Sequence, residues 1–457
     1  MRARLSGVSQ WSRYLEPWYG PYALVGAVVS GGIPILLPLA VIAGGSPRHV
    51  ALAIAAFNAG TIMAPVCGVV ADRYRLHSVL FVAGIVVTGV GAAMLALVSG
   101  VGARSALAFA AGCGAAAVVT VAYLLVVEVH PQDEWSPRIG AVQLLYEIGQ
   151  ISGLIFAGAM IRIGPGAGLL IAGSLTVAAA IPAWLTVRTH AVRIPPPMPP
   201  RGTPTGRQRM ARLAHMVARL GHMVPRVEHA TAGVHHLRHF PSLRLLGRAV
   251  ASPLAAFLAI WTIAYTGSQV CYSMYPLVMQ RVFNIDPGRA SFAYALAVVP
   301  SLLLFTPAGR WTNRLGPGRM IQAGFEIRAA SLLAIAAFGY LAVPRRELWA
   351  LAAFTALVLT WPVLGVSAPA IVATRSAVRE GEGMGLYNAA SAAGTVCGAI
   401  LGGVAAELWG YRSVAAVGAM CVIAALVSTA ADRNWRRPLQ APQLAPLEGN
   451  GTHPSRL

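Results

Sequence analysis

The sequence contains no lysine, and charged residues make up only 11% of its 457 positions. A soluble protein of this length would carry roughly twice that share of charge. Hydrophobic residues make up 56%, and apolar runs of about 20 residues recur, each long enough to cross a hydrocarbon core of ~30 Å as a helix. The shortage of charge therefore excludes an ordinary soluble domain and indicates a helical protein that crosses a membrane many times.

Paired cysteines are also missing, as are the motifs of most enzymes. An odd number of single cysteines, without paired spacing, provides neither a disulfide framework nor a metal site. The sequence shows no phosphate-cradling loop, metal-ligand cluster or nucleophile–base pair. We therefore expect neither an enzyme, nor a cofactor-dependent protein, nor a nucleotide-driven pump. The cysteines are Cys67, Cys113, Cys271, Cys397 and Cys421.

Positive charge is plentiful by contrast. The formal net charge is +20, and all 35 basic residues are arginines that lie almost wholly between the apolar runs. This placement indicates membrane orientation rather than nucleic-acid binding. The side of the membrane that holds both termini carries most of these arginines, so the positive-inside rule predicts a cell-membrane protein with cytoplasmic termini.

The apolar runs predict twelve transmembrane helices, six on either side of a long polar segment. The predicted domains are a six-helix bundle over 1–187, a cytoplasmic linker over 188–250, a second six-helix bundle over 251–432 and a cytoplasmic tail over 433–457. The predicted spans are 21–43, 50–71, 79–101, 105–127, 139–161, 166–187, 251–280, 290–308, 320–343, 348–373, 384–406 and 413–430.

The linker is basic and begins with a proline-rich spacer over 195–200. From Arg212 a seven-residue pattern places Leu and Met on one helical face, opposite Arg and His. Such a basic amphipathic helix is suited to the anionic inner leaflet, so we expect membrane lipids as partners of this segment. A plain solvated linker is the alternative, and the spacing of its histidines gives little support for metal binding.

The two halves repeat one pattern. Gly68, Asp72 and Arg73 recur at one constant offset as Gly309, Asn313 and Arg314. The same offset carries Tyr146, in the fifth span, onto Tyr387 in the eleventh. The segments around Gly68 and around Tyr146 thus map onto the second half with one offset and without an insertion between them. This indicates that the chain is two copies of one unit.

The segment from Gly68 to Arg75 resembles the signature loop of the major facilitator superfamily, in which a Gly is followed by Asp and then by Arg or Lys. Gly68, Asp72 and Arg73 match that pattern, whereas Arg75 stands where the family has a second Gly. The resemblance implies an all-α membrane fold in which two six-helix bundles form a pseudo-twofold repeat. It also implies secondary transport by alternating access.

This loop has the chemistry of a gate. Small Gly68 lets two helices approach closely, and Asp72 is placed to face a helix N-terminus in the other half. Glu128, at the end of the fourth span, is the natural partner of Arg73 or Arg75. We expect Asp72→Asn to impair cycling more than Asn313→Ala; solvated turns with orienting arginines are the alternative. The gating residues predicted in this way are Gly68, Asp72, Arg73, Glu128, Gly309, Asn313 and Arg314.

The fifth span is similar in part to the glycine-rich helix of drug/proton antiporters. Gly149, Gly153 and Gly158 match that helix, but Leu154 stands for its Pro and Ala157 for the first Gly of its closing Gly-Gly pair. The fourth span departs further, since Ala108 and Ala111 occupy the antiporters' Arg and Gln positions. The resemblance to drug/proton antiporters is therefore partial.

The fifth span also carries a polar stripe. Gln143, Tyr146, Glu147 and Gln150 follow the spacing of one helical face. At 1.5 Å per residue, Glu147 lies about 12 Å inside the cytoplasmic end, where a carboxylate must face a partner, water or a cavity. We predict that Glu147 couples transport to protons and that the other three bind substrate; a glutamate bonded only for packing is the alternative.

The second half offers a matching face. Tyr387 and Asn388 in the eleventh span occupy the repeat positions, and Tyr265 and Gln269 in the seventh span add aromatic and amide groups at helical spacing. We predict all four to bind substrate, although ordinary helix contacts remain an alternative for the seventh-span pair. Glu326 and Arg328 lie in the ninth span, which is peripheral in the major facilitator superfamily, so the resemblance implies a structural role for them near the cytoplasmic gate.

The sequence thus predicts a monomeric proton-coupled exporter of an amphipathic or cationic small molecule, which works by alternating access. Its predicted partners are the substrate, protons and membrane lipids, without a cofactor, a metal or nucleic acid. Proton-linked uptake of a polar nutrient is one alternative, and the departures from the antiporter pattern support it. A membrane sensor that transports nothing and signals through the basic linker is the other.

Overall fold

The computed structural model describes residues 15–74, 76–130, 134–191, 253–375 and 380–431. Within these ranges twelve helices are long and apolar enough to cross a membrane, and the expectation of an all-α membrane fold is confirmed. The amphipathic helix expected from Arg212 onward and the C-terminal tail lie outside the described residues.

We number the helices in chain order. The first half contains α1 (Tyr19–Ile42), α2 (Pro47–Thr61 and Ala64–Tyr74), α3 (His77–Leu97), α4 (Val101–Val129), α5 (Trp135–Met160) and α6 (Pro165–Ala191). The second half contains α7 (Pro253–Phe283), α8 (Pro287–Leu315), α9 (Pro317–Tyr340), α10 (Arg346–Leu359 and Trp361–Arg375), α11 (Glu380–Trp409) and α12 (Tyr411–Ala431).

Prolines and glycines set many of the helix ends. Pro47, Pro287 and Pro317 open their helices, where the missing N–H has no intrahelical partner to lose. The turns after α5 and α11 pass through Gly164 and Gly410 at φ 135° and 80°, a backbone conformation that favours glycine. The two turns are equivalent in the repeat, so the same local chemistry is used twice.

Among the described spans, three helices are interrupted within their length. A π-helical stretch over Ala27–Gly32 divides α1, α2 breaks after Thr61, and α10 breaks at Thr360 before Pro362. Neighbouring helices of a bundle can satisfy the carbonyls that such breaks release. In α10 the break places the Thr360 hydroxyl inside the second bundle, where it accepts a hydrogen bond from Arg328.

The two halves are built alike. In the first, α1 packs on α5, α2 on α4 and α3 on α6; in the second, α7 packs on α11, α8 on α10 and α9 on α12. Each pair in one half thus has its counterpart six helices later. The predicted arrangement of two bundles in pseudo-twofold repeat is confirmed.

The signature segments are more helical than expected. The sequence predicts a polar break from Gly68 to Arg75, but the second part of α2 continues to Tyr74, and α8 likewise continues past Asn313 to Leu315. Neither segment contains a residue that would end its helix earlier, and in α8 the first such residue is Gly316. The arginines of both segments also favour the helix, because the helix dipole stabilises positive charge near a helix C-terminus.

The halves meet through α1–α7, α2–α11 and α5–α8. The contacts cluster at the end that carries the α1–α2 and α11–α12 turns, opposite the end at which α1 begins and α12 ends, which we refer to as the end that carries the termini. There the Ser291 hydroxyl of α8 donates a hydrogen bond to the Leu154 carbonyl of α5 at 2.6 Å. Arg48 of α2 pairs with Glu407 of α11, with 2.9 Å between Nε and Oε1. We refer to this end as the closed end.

Candidate functional site

The polar stripe of α5 lies on the inner side of the first bundle. The Gln143 amide nitrogen donates to the Glu147 carboxylate at 2.9 Å, and the Tyr123 hydroxyl of α4 donates to the Gln143 oxygen at 2.6 Å. The Tyr146 hydroxyl shares a hydrogen bond with Ser30 in the π-helical stretch of α1 at 2.9 Å. The stripe therefore ties α5 to two neighbouring helices, and Gln150 is half-buried one turn further along.

Glu147 lies among tyrosines. Its carboxylate interacts electrostatically with Tyr22, Tyr123 and Tyr146 of the first half and with Tyr294, on α8 of the second half. Among the described residues no arginine or histidine forms an ion pair with it. An ionised carboxylate at this depth therefore needs water, a proton or a cationic ligand to offset its charge.

The predicted residues of the second half form one aromatic cluster. Trp261 of α7 lies between Tyr265 and Tyr387, with ring centroids 5.7 and 5.2 Å away, and its indole N–H donates to Ser391 at 2.8 Å. Trp361, at the break of α10, lies 6.2 Å from the Tyr265 ring. Four aromatic rings from three helices thus pack together; Trp261 and Tyr387 are buried, so Tyr265 and Trp361 are the rings of the cluster left to contact a planar ligand.

The remaining predicted residues of this half lie beside the cluster. Gln269 lies one helical turn after Tyr265 on α7 and is half-buried like it, and Asn388 is half-buried next to Tyr387. The structure therefore brings Tyr265, Gln269 and Tyr387 together, with Asn388 adjacent, as the helical spacing predicts.

A second group of aromatic residues lies in the second half, and one of its members, Tyr294, interacts with the first half. Tyr294 of α8 lies 6.2 Å from the Tyr272 ring and 5.4 Å from the Tyr275 ring, both on α7, and it also interacts with Glu147. Sequence reasoning missed Tyr294, as it missed Tyr22, Tyr123 and Trp361. An aromatic residue with a polar tip inside an apolar run was the available signal, but periodicity within one helix does not reveal which residues face it from another bundle.

The expectation from the sequence that Arg328 lies near the gate is wrong. Its side chain is only 2% exposed and donates to Ser268 of α7 and Thr360 of α10, each at 2.7 Å. It interacts with the hydroxyls of Tyr265, Tyr272 and Tyr387. Arg328 therefore belongs to the interior of the second bundle, behind the aromatic cluster.

The predicted gate is described only in part. Gly68 is buried at the second part of α2, whereas the side chains of Asp72, Arg73 and Glu128 lie outside the described part of the chain. In the second copy Asn313 and Arg314 are exposed, and nothing lies within 4 Å of a Cβ built on Gly309. The gating role of both copies stays a prediction.

A charged cluster lies at the end that carries the termini. Glu16 receives Arg138 Nη1 at 2.6 Å, His130 Nε2 at 2.5 Å and the Trp18 indole N–H at 2.7 Å. Glu134 pairs with Arg138 Nη2 at 2.8 Å. Burial lowers the pKa of His130 below its usual value, and nearby Arg138 adds to this effect while Glu16 offsets part of it. The cluster connects the start of α1 to the α4–α5 turn.

Comparison with known structures shows the fold. The nucleoside transporter NupG gives a TM-score of 0.64 at 10% identity, covering 91% of this chain and 96% of that one. An auto-inhibited peptide transporter of the POT family gives 0.66 at 16% identity, covering 94% and 98%. The xylose transporter XylE from E. coli, in a partially occluded inward-open conformation, gives 0.61 at 15% identity, covering 91% and 96%. No curated protein matches the sequence closely enough to count as a relative.

The family comparison covers both halves. The family model of the Major Facilitator Superfamily matches residues 22–270 and again residues 257–454, so each copy of the repeat matches it separately. Together with the twelve spans and the paired bundles, this match shows that the chain belongs to the major facilitator superfamily of membrane transporters.

Proposed function

We propose that this transporter exports an amphipathic or cationic small molecule in exchange for protons, by alternating access, with Glu147 as the coupling acid. The observation that carries the proposal is the setting of Glu147: it faces tyrosines of both halves, without a cation paired to it among the described residues. A carboxylate in this position binds either a proton or a cationic group, and the two compete.

The arrangement of the halves supports the alternating-access part of the proposal. The closed end is held by hydrogen bonds and an ion pair between α2 and α11 and between α5 and α8. With that end closed, we propose that Glu147 is reached from the opposite end, at which α1 begins and α12 ends. Rocking the two bundles about the site would open the closed end and expose the same carboxylate to the other side.

The aromatic cluster supports an amphipathic substrate. Tyr265 and Trp361, backed by the buried rings of Trp261 and Tyr387, offer stacking surfaces, and the amide groups nearby are those of Gln143, Gln150, Gln269 and Asn388. A binding wall of this kind suits a ligand with a planar apolar part and a few polar groups.

Flux driven by a pH gradient across proteoliposomes tests the proposal. We expect Glu147→Gln to lose the gradient-driven component by about tenfold or more, within the usual range of coupling between sites. Glu326→Gln is the matched control, since Glu326 is an exposed carboxylate of α9 that bonds only to Gln322 at 3.1 Å. Gradient-driven flux at the wild-type rate in Glu147→Gln would show that this carboxylate is not the coupling acid.

Uptake of a polar nutrient with protons is the second candidate. Ala108 and Ala111, which are buried in α4, stand where the drug/proton antiporters have Arg and Gln. The structural likeness to transporters of nucleosides, peptides and xylose is compatible with uptake as well. The direction of flux under an imposed gradient separates the two: export is expected when the outside is acidic, whereas accumulation with the proton gradient would favour uptake.

We also propose that the protein is a monomer in the cell membrane and that its linker lies on the membrane surface at the cytoplasmic side. Its arginines suit anionic lipid headgroups. If deletion of residues 200–240 removed a signalling response while no solute moved in the flux assay, the sensor alternative would replace transport.

A further inference from the structure

Arg328 carries a positive charge that no other described group neutralises. Its two hydrogen bonds go to hydroxyl oxygens, and those hydroxyls in turn donate to main-chain carbonyls: Thr360 to Leu357 at 2.6 Å and Ser268 to Ala264 at 3.1 Å. Within the described residues no carboxylate forms an ion pair with Arg328. Because a guanidinium stays protonated in proteins, this charge is fixed.

A fixed charge in the interior of a membrane protein is costly and marks a functional site by default. The neighbouring acid does not neutralise it, because Glu326 is exposed and bonds to Gln322 instead. Residues two positions apart on a helix also point to different faces. A role limited to linking α9, α7 and α10 would need only hydrogen-bond donors, which an uncharged amide supplies at lower cost.

Arg328 lies beside the aromatic cluster that we propose to bind substrate. The hydroxyls of Tyr265 and Tyr387 lie in its field, and their rings form the aromatic cluster around Trp261. Tyr272, also in the field of Arg328, lies 6.2 Å from the Tyr294 ring, and Tyr294 interacts with Glu147. A fixed positive charge in one half and a carboxylate in the other are therefore joined by tyrosine side chains across the interface.

We propose that the central site is dipolar and that it binds aromatic zwitterions, with the ammonium group of the ligand at Glu147 and its carboxylate on the side of Arg328. Arg328 acts through its field and through the hydroxyls of Tyr265 and Tyr387. A ligand with only a positive charge is repelled by Arg328, which narrows the substrate class in favour of molecules with both charges. The inference rests on the proposed location of the site, but not on proton coupling or on the direction of transport.

Three probes that share an indole ring and differ in charge test the dipolar site: tryptophan, tryptamine and indole-3-propionate. Binding to the full-length protein is measured by calorimetry in detergent. We expect tryptophan to bind at least about tenfold more tightly than either singly charged analogue, because the site satisfies two charges of tryptophan and only one of each analogue. Equal or tighter binding of tryptamine would overturn the dipolar site, and so would the failure of all three probes to bind.

Variants of Arg328 and Ser268 separate the effect of the positive charge from the effect of its hydrogen bonds on stability. Arg328→Gln should weaken tryptophan and indole-3-propionate and strengthen tryptamine, while Arg328→Lys should keep the wild-type order of the three. Ser268→Ala removes one hydrogen bond of Arg328 but leaves its charge, so it should lower the melting temperature without changing that order. If Arg328→Gln instead scaled all three affinities by the same factor, Arg328 would be a structural residue only.

The two proposals fail independently. Loss of charge preference in Arg328→Gln with pH-independent flux would support the dipolar site while refuting proton coupling. Gradient-driven flux of tryptamine alone, with an unchanged order of affinities in Arg328→Gln, would refute the dipolar site and leave the coupling role of Glu147 intact.

Discussion

Ionisable side chains inside the two bundles are few, and the groups around each one determine what it can do. Glu147 has an amide and hydroxyls around it, so its carboxylate stays available to a proton or a cation. Arg328 is held by two hydroxyls and keeps its full charge. At the end that carries the termini, in contrast, Glu16 and Arg138 neutralise each other. The charges of this cluster are thus paired, whereas Glu147 and Arg328 form no ion pair within the described residues.

His130 predicts a pH dependence of stability. Because burial lowers its pKa in the folded state, its neutral form contributes stability above about pH 6.5, the usual histidine value, and this contribution is lost as the pH falls through the lower folded-state pKa. The difference in melting temperature between wild type and His130→Gln should therefore shrink on acidification. A difference that grows would mean instead that a charged His130 is stabilised by Glu16 and Glu134 against the repulsion of Arg138.

At the scale of helices, the glycines of α5 set how closely it approaches its neighbours. A Cβ on Gly149 or Gly153 would overlap the α1 carbonyls of Ala23 or Ala27, and one on Gly158 would lie 3.0 Å from the Gly288 carbonyl of α8. The glycine-rich pattern that resembles the antiporters therefore serves close backbone packing, both within the first bundle and across the interface.

Gly153→Ala tests this packing. The added methyl group meets the backbone of α1, which cannot move aside like a flexible side chain, so we expect a loss of about 1–3 kcal/mol in the free energy of unfolding. Gly140→Ala in the same helix is the matched control, because nothing lies within 4 Å of its Cβ, and it should be neutral or stabilising. Thermal unfolding in detergent measures both, and equal effects would contradict the packing role.

At the scale of the whole molecule, the halves are joined at one end by contacts of modest strength. The Arg48–Glu407 pair is partly exposed, and such pairs contribute about 0.2–1 kcal/mol. Close packing adds to it, since Gly403 of α11 lies against Ala51 and Pro47 of α2. Weak closure is what the proposed alternating access requires, because in that mechanism the same contacts break once in each cycle.

Opening of the closed end can be measured with spin labels on cysteines introduced at Gly44 and Trp409, which flank the two turns there. Glu407→Gln should shift the distance distribution toward longer values, and Gly403→Leu should do so more strongly because its side chain would overlap α2. Glu347→Gln at the start of α10 is the control, since Glu347 forms no ion pair with the first half within the described residues. An unchanged distribution in Gly403→Leu would show that these contacts do not hold the end closed.

The sequence alone determined the class, the twelve spans, the repeat and the polar face of α5. These features follow from local rules: a membrane requires every backbone hydrogen bond to be made internally, so apolar length predicts helices, and helical spacing predicts which side chains share a face. Even the continuation of α2 and α8 beyond their expected ends has a local cause, the absence of a stop residue.

Only the tertiary structure decided which faces meet. The approach of Tyr294 to Glu147 and the position of Arg328 behind Tyr265 and Tyr387 depend on how two bundles are set against each other. The closed end depends on the same arrangement. Periodicity within one helix carries no information about the rotation and depth of a helix in the other bundle, so the charges on both sides of the site become visible only when the halves are packed together.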